Sequence, residues 1–127
     1  MVLDITKPRD YIDIAVSLTK ELEQSAVERD NKGGAPSEEI NKLRESGLLP
    51  LVIPKQYGGI GATWSDALKI VQELSKSDGS IGQLYGNHLN LTALAHVSGT
   101  SEQKERYYRE TAKNNWFWAN AINTRDT

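Results

Sequence analysis

Cysteine is absent from the 127 residues. That removes disulfide staples, a thiolate zinc site and a cysteine nucleophile at once. Imidazole is scarce as well. His88 and His96 are the two histidines, and no HExxH spacing joins them, so no metal site is expected. Charge of one sign is lacking: the net charge is −2 with 25% charged residues. Without a basic field, neither nucleic acid nor an acidic membrane surface is an expected partner. No apolar run approaches the length of a membrane span, and Met1-Val2-Leu3-Asp4 does not open a signal peptide. A cytoplasmic location with no membrane association is the expectation. There is no GxxxxGK(S/T) phosphate loop and no GxSxG elbow. The carboxylates are scattered over helix surfaces, so no acid pair stands out. Internal repeats and low-complexity tracts are missing too.

What is present fits one small soluble domain with a real core: 38% of residues are hydrophobic. The most informative stretch runs from Gly47 to Ala67, GLLPLVIPKQYGGIGATWSDA. Its apolar segment, Leu48 to Ile53, must pack beneath neighbouring helices. Gly58, Gly59 and Gly61 mark a turn that needs positive φ or a close backbone approach.

Around this stretch the periodicity is helical. Tyr11, Ile14, Ala15, Leu18, Leu22 and Ala26 recur every three or four residues within a helix from about Arg9 to Asp30. Ser37 is placed to cap a short second helix with Ile40 and Leu43 facing inward, and Gly47 stops it. Thr63, with Asp66 three residues on, caps a third helix ending near Ser77. Its apolar stripe is Trp64, Ala67, Leu68, Val71 and Leu74. Ser80 can cap a fourth helix, Ile81 to Val97, the least polar of the set and the expected centre of the domain. Thr100 and Gln103 form a capping box for a fifth helix ending near Lys113, with a narrow stripe at Tyr107, Tyr108 and Thr111. Trp116 to Asn123 then reads as the start of a β-strand. One strand is not a sheet, so a β-rich domain is expected to follow. The expectation is therefore an all-α fold of about five helices over 9–115, an arm over 1–8, and the start of a β domain over 116–127.

Two places carry candidate chemistry. Tyr85, His88 and Thr92 share one face of the fourth helix, which sets a phenol, an imidazole and a hydroxyl side by side. A neutral imidazole there can donate to, or protonate, a reacting oxygen near neutral pH. The competing reading is a core histidine satisfied by hydrogen bonds. His96, near the end of the same helix, suits the helix dipole better than catalysis. In the tail, Trp116, Phe117 and Trp118 either pack on the helices or touch a cofactor, and the amides of Asn120 and Asn123 suit hydrogen bonding to a planar heterocycle.

The order of these pieces resembles the N-terminal helical domain of the acyl-CoA dehydrogenase superfamily. The likeness spans roughly Arg9 to Asn123 and rests on Tyr57-Gly58-Gly59-Ile60-Gly61 and on Gly99-Thr100-Ser101-Glu102-Gln103-Lys104 at the right separation. Ala62-Thr63-Trp64, Asp78-Gly79-Ser80, Leu84 to His88 and Asn114 to Ala121 look like the flavin-dependent monooxygenase branch, of which the dibenzothiophene monooxygenases are members. The resemblance implies a reduced flavin, normally FMN from a partner flavin reductase, that reacts with oxygen and oxygenates a heteroatom such as sulfur in a small-molecule substrate. It implies His88 as the catalytic histidine, Asn120, Ile122 and Asn123 as flavin contacts, and Tyr85 and Thr92 on the substrate pocket. It also implies a homo-oligomer, commonly a tetramer. One departure is Asn123-Thr124-Arg125, where dehydrogenases read Thr-Glu-Pro. An FAD-dependent acyl-CoA dehydrogenase is the alternative enzyme, and a non-catalytic helical interaction module is the alternative from another class. The 127 residues by themselves are expected to be inactive.

Overall fold

The computed structural model describes residues 8–121. Five helices follow one another: α1 (Pro8–Lys32), α2 (Ser37–Glu45), α3 (Trp64–Ser75), α4 (Gly79–Ser98) and α5 (Ser101–Asn114). A single 3-10 turn, Lys55–Tyr57, interrupts the link between α2 and α3. The helices pack in sequence, α1 on α3, α3 along α4, and α4 on α5. No described helix is long and apolar enough to cross a membrane.

Capping decides where several helices begin. Thr63 accepts from the Asp66 amide at the start of α3. Thr100 and Gln103 form the reciprocal box at α5. α4 is capped by Asp78, whose Oδ1 accepts from the Ser80 and Ile81 amides, and not by Ser80: Asp78 still has extended backbone, whereas Ser80 is already inside the helix. Ser37 likewise lies inside α2, and the cap position belongs to Pro36, which makes no side-chain cap bond.

The core is aliphatic. Ala15, Leu18 and Leu22 of α1, Leu43 of α2, Ala67, Ile70 and Leu74 of α3, and Ile81 and Leu89 of α4 close around Leu48, Leu49 and Leu51. The inward stripe of α3 is thus Ala67, Ile70 and Leu74, while Trp64 and Leu68 lie exposed. The expected stripe was rotated by part of a turn. α4 is central only as far as Thr92. Ile81, Tyr85, His88, Leu89 and Thr92 are buried, but Leu94 and Val97 face outward. On α5, Tyr108 and Thr111 are buried and Tyr107 is on the border of exposure.

The segment after α2 explains this arrangement. Leu48, Leu49, Leu51 and Ile53 are completely buried, each worth about 1.5–3 kcal/mol of transfer free energy. Yet they form neither helix nor strand, so their backbone carbonyls need partners from elsewhere. The glycine turn supplies three. It folds back so that Ile60 donates to Pro50, Gly61 to Ile53 and Ala62 to Leu51. Gly58 and Gly61 have φ of +90° and +68°, and a Cβ on Gly59 would lie 2.0 Å from the Ile53 carbonyl oxygen. Within the segment, Leu51 N–H reaches the Leu48 carbonyl and Ile53 N–H the Pro50 carbonyl, and α4 adds donors to the Leu48 and Leu49 carbonyls.

The strand expected from Trp116 is not formed among the described residues. A strand exists only as a paired ladder, and here the available donors go elsewhere. Trp116 N–H closes onto the Thr111 carbonyl at the end of α5, and Trp118 N–H goes to a side chain of α4. Residues 1–7 of the expected arm and residues 122–127 of the expected β domain lie outside the described residues.

Candidate functional site

α4 presents its polar tips inward because the buried 48–53 segment demands it. Tyr85 Oη donates to the Leu48 carbonyl at 2.7 Å, and His88 Nε2 donates to the Leu49 carbonyl at 2.8 Å. The other ring nitrogen, Nδ1, accepts from the Trp118 amide at 3.0 Å. A carbonyl only accepts and a backbone N–H only donates. The pair of contacts therefore defines a neutral imidazole carrying its proton on Nε2. Thr92, one turn further along, donates to the His88 backbone carbonyl at 2.7 Å.

The ring of His88 has no exposed edge. Phe117 stacks on it with centroids 5.1 Å apart and planes 17° from parallel, and Tyr85 stacks at 6.2 Å and 25°. Burial lowers its pKa from the ordinary histidine value, and the hydrogen bond to Leu49 opposes that shift. Burial pushes the Tyr85 phenol far above its ordinary range. Both groups are held in their uncharged forms.

The expected trio is thus brought together, but turned into the protein and satisfied by it. Tyr85 and His88 serve backbone carbonyls, and Thr92 alone of the three borders open space. A cleft of about 420 Å³ runs between the second half of α4, α5 and the tail, and its lining includes Thr92, Leu94, Tyr107, Trp118 and Ala119. Trp118 is fixed at this cleft. Its indole N–H donates to Thr111 Oγ1 at 2.9 Å, and its ring meets Tyr107 and Trp116 edge-on at 5.8 and 6.1 Å. Sequence reasoning missed Thr111 and Trp118 as a pair. The signal was their spacing, since a partly buried indole needs an acceptor and Thr111 is the nearest hydroxyl that precedes it in the sequence.

Two residues beyond Trp118, Asn120 is exposed. Its amide offers one donor group and one acceptor, the complement of a flavin ring edge, which alternates carbonyls and ring nitrogens. Of the three residues expected to contact a flavin, Asn120 is the one among the described residues. Ile122 and Asn123 lie outside the described residues.

The acyl-CoA dehydrogenase N-terminal domain model matches residues 14–115. Among curated relatives, the dibenzothiophene monooxygenase of Mycolicibacterium goodii is 46% identical over 88% of this chain and 27% of its own length. The probable FMNH2-dependent monooxygenase SfnC of Pseudomonas putida is 42% identical over 96% of this chain and 31% of its own. The solved methanesulfinate monooxygenase MsuC of Pseudomonas fluorescens superposes with a TM-score of 0.86 at 44% identity, covering 91% of this chain and 30% of that one. The chain therefore spans about three tenths of the length of the relatives it matches. It belongs to the acyl-CoA dehydrogenase family, as the helical N-terminal domain.

Proposed function

We propose that this chain is the N-terminal helical part of a reduced-flavin monooxygenase that oxygenates the heteroatom of a small, sulfur-type substrate. The observation that carries the reading is its identity of 46% over 88% of its length to a dibenzothiophene monooxygenase and of 42% over 96% to a probable FMNH2-dependent monooxygenase. The exposed amide of Asn120 at the end of a fixed tail adds a polar contact of the right kind. FMN, delivered reduced by a separate flavin reductase, is the cofactor this reading calls for, and it supplies the oxygen-activating chemistry when bound. The chain's own part is to bind and orient. α4 and α5 exclude water from one side, Asn120 holds the ring edge together with Ile122 and Asn123, and Thr92 borders the cleft. A homo-oligomer, commonly a tetramer in this superfamily, goes with the same reading.

The test uses the full-length protein, reduced FMN, ¹⁸O₂ and an aromatic sulfide. Sulfoxide carrying one labelled oxygen supports the proposal. Turnover of acyl-CoA thioesters with an artificial electron acceptor, and none of the sulfide, would replace it with the dehydrogenase reading.

A further inference from the structure

His88 is the one histidine buried in the described core, and the geometry does not leave it a free nitrogen. Nε2–H is committed to the Leu49 carbonyl and Nδ1 to the Trp118 amide. Phe117 and Tyr85 both stack near-parallel to the ring, which is fully buried. What the ring does connect is two irregular segments with no backbone hydrogen bond between them among the described residues: the buried 48–53 run at Nε2 and the 116–121 tail at Nδ1.

We propose that His88 is a neutral positioning residue that ties the 48–53 segment to the tail, so that Asn120 keeps a fixed place against the flavin. This rests on the reading given under Proposed function. The lever is short. Trp118 is held by its amide at His88 and by its indole at Thr111, and Asn120 follows two residues later, exposed and beyond both anchors. Only the uncharged Nε2–H tautomer does this. A proton on Nδ1 would point at the Trp118 N–H, donor against donor. Tyr85, the titratable side chain stacked on the ring, has its own proton committed to Leu48 and offers His88 no counter-charge.

The proposal separates cleanly from acid catalysis. His88→Gln keeps one donor and one acceptor but cannot titrate, whereas His88→Leu keeps neither. In the full-length protein, three readouts are compared: hydrogen exchange over 116–121, FMN affinity by titration, and the pH profile of sulfide oxygenation. With His88→Gln, tail protection should persist, FMN affinity should stay within about threefold of the parent, and the pH profile should superimpose on it. With His88→Leu, protection should be lost and FMN affinity should fall by about tenfold or more. Loss of oxygenation in His88→Gln, with protection and FMN affinity intact, would overturn the proposal and make His88 a proton donor. Unchanged protection and affinity in His88→Leu would also overturn it. If that variant does not fold, the glutamine variant alone decides. A parent protein that neither binds FMN nor oxygenates sulfides would sink the functional reading, while the exchange comparison would still decide whether the tie exists.

Discussion

Gly59 has no alternative side chain. Its missing Cβ sits where Ile53 brings its carbonyl oxygen, Cβ and carbonyl carbon, and none of these can step aside without unpacking a fully buried residue. Gly59→Ala should cost about 2–3 kcal/mol in urea unfolding through overpacking, whereas Gly33→Ala meets no atom within 4 Å and pays only for its positive φ. The other residue-scale expectation concerns pH. His88 has its pKa lowered by burial, so the folded state holds fewer protons than the unfolded chain just below the unfolded value of about 6.5. Its contribution to stability is complete above that value and is lost as pH falls through it, with a slope of at most about 1.4 kcal/mol per pH unit. Unfolding free energies measured from pH 8 to 5 should show that decline in the parent and a shallower one in His88→Gln. An equal slope in both would mean that the imidazole is not held neutral.

Between elements, Arg29 ties three helices together. It reaches Asp78 Oδ2 at 2.6 Å and Glu39 Oε1 at 3.4 Å, and also bonds Ser25 and the Leu22 carbonyl. One guanidinium thus pins the end of α1 to α2 and to the cap of α4. Burial raises the Asp78 pKa, but the Arg29 hydrogen bond and the Ile81 and Ser80 amides outweigh it, and the net shift is downward. That stability is present above the ordinary aspartate range and fades as pH drops through the folded value. Arg29→Met leaves two partly buried carboxylates without their partner. It should lower stability at pH 7 by about 2–4 kcal/mol, and the acid limb of the stability curve should flatten. Helix identity and the α5 capping box were legible from spacing because both are local. The Arg29 network was not, since it joins positions 49 residues apart. The α3 stripe failed for a related reason: Leu68 and Ile70 are equally apolar, and only the seat of the 48–53 segment decides which is covered. The inward turn of Tyr85 and His88 was hidden too, because nothing in the sequence announces that two carbonyls 37 and 39 residues upstream need donors.

At the scale of the molecule, the described chain leaves apolar surface on one side. Leu94 and Val97 on α4 are 53% and 81% exposed, and Tyr107 and Trp116 lie on α5 and the tail. Leu94 and Tyr107 border the 420 Å³ cleft. Contiguous exposed apolar surface favours association. The 127-residue chain alone should self-associate with rising concentration in sedimentation velocity, and Leu94→Glu with Val97→Lys should restore a monomer. A monomer in the parent at all concentrations would mean that the cleft is already covered. Under the proposed function this domain forms one wall of a flavin site, beside a tail that His88 of α4 and Thr111 of α5 hold in place. FMN titration of the full-length protein beside its Asn120→Ala variant tests it most directly. The account predicts micromolar or tighter binding in the parent and a loss of about tenfold or more in the variant, as expected when a charge-free hydrogen-bond pair is removed from a desolvated site. Equal affinities in the two proteins would contradict it.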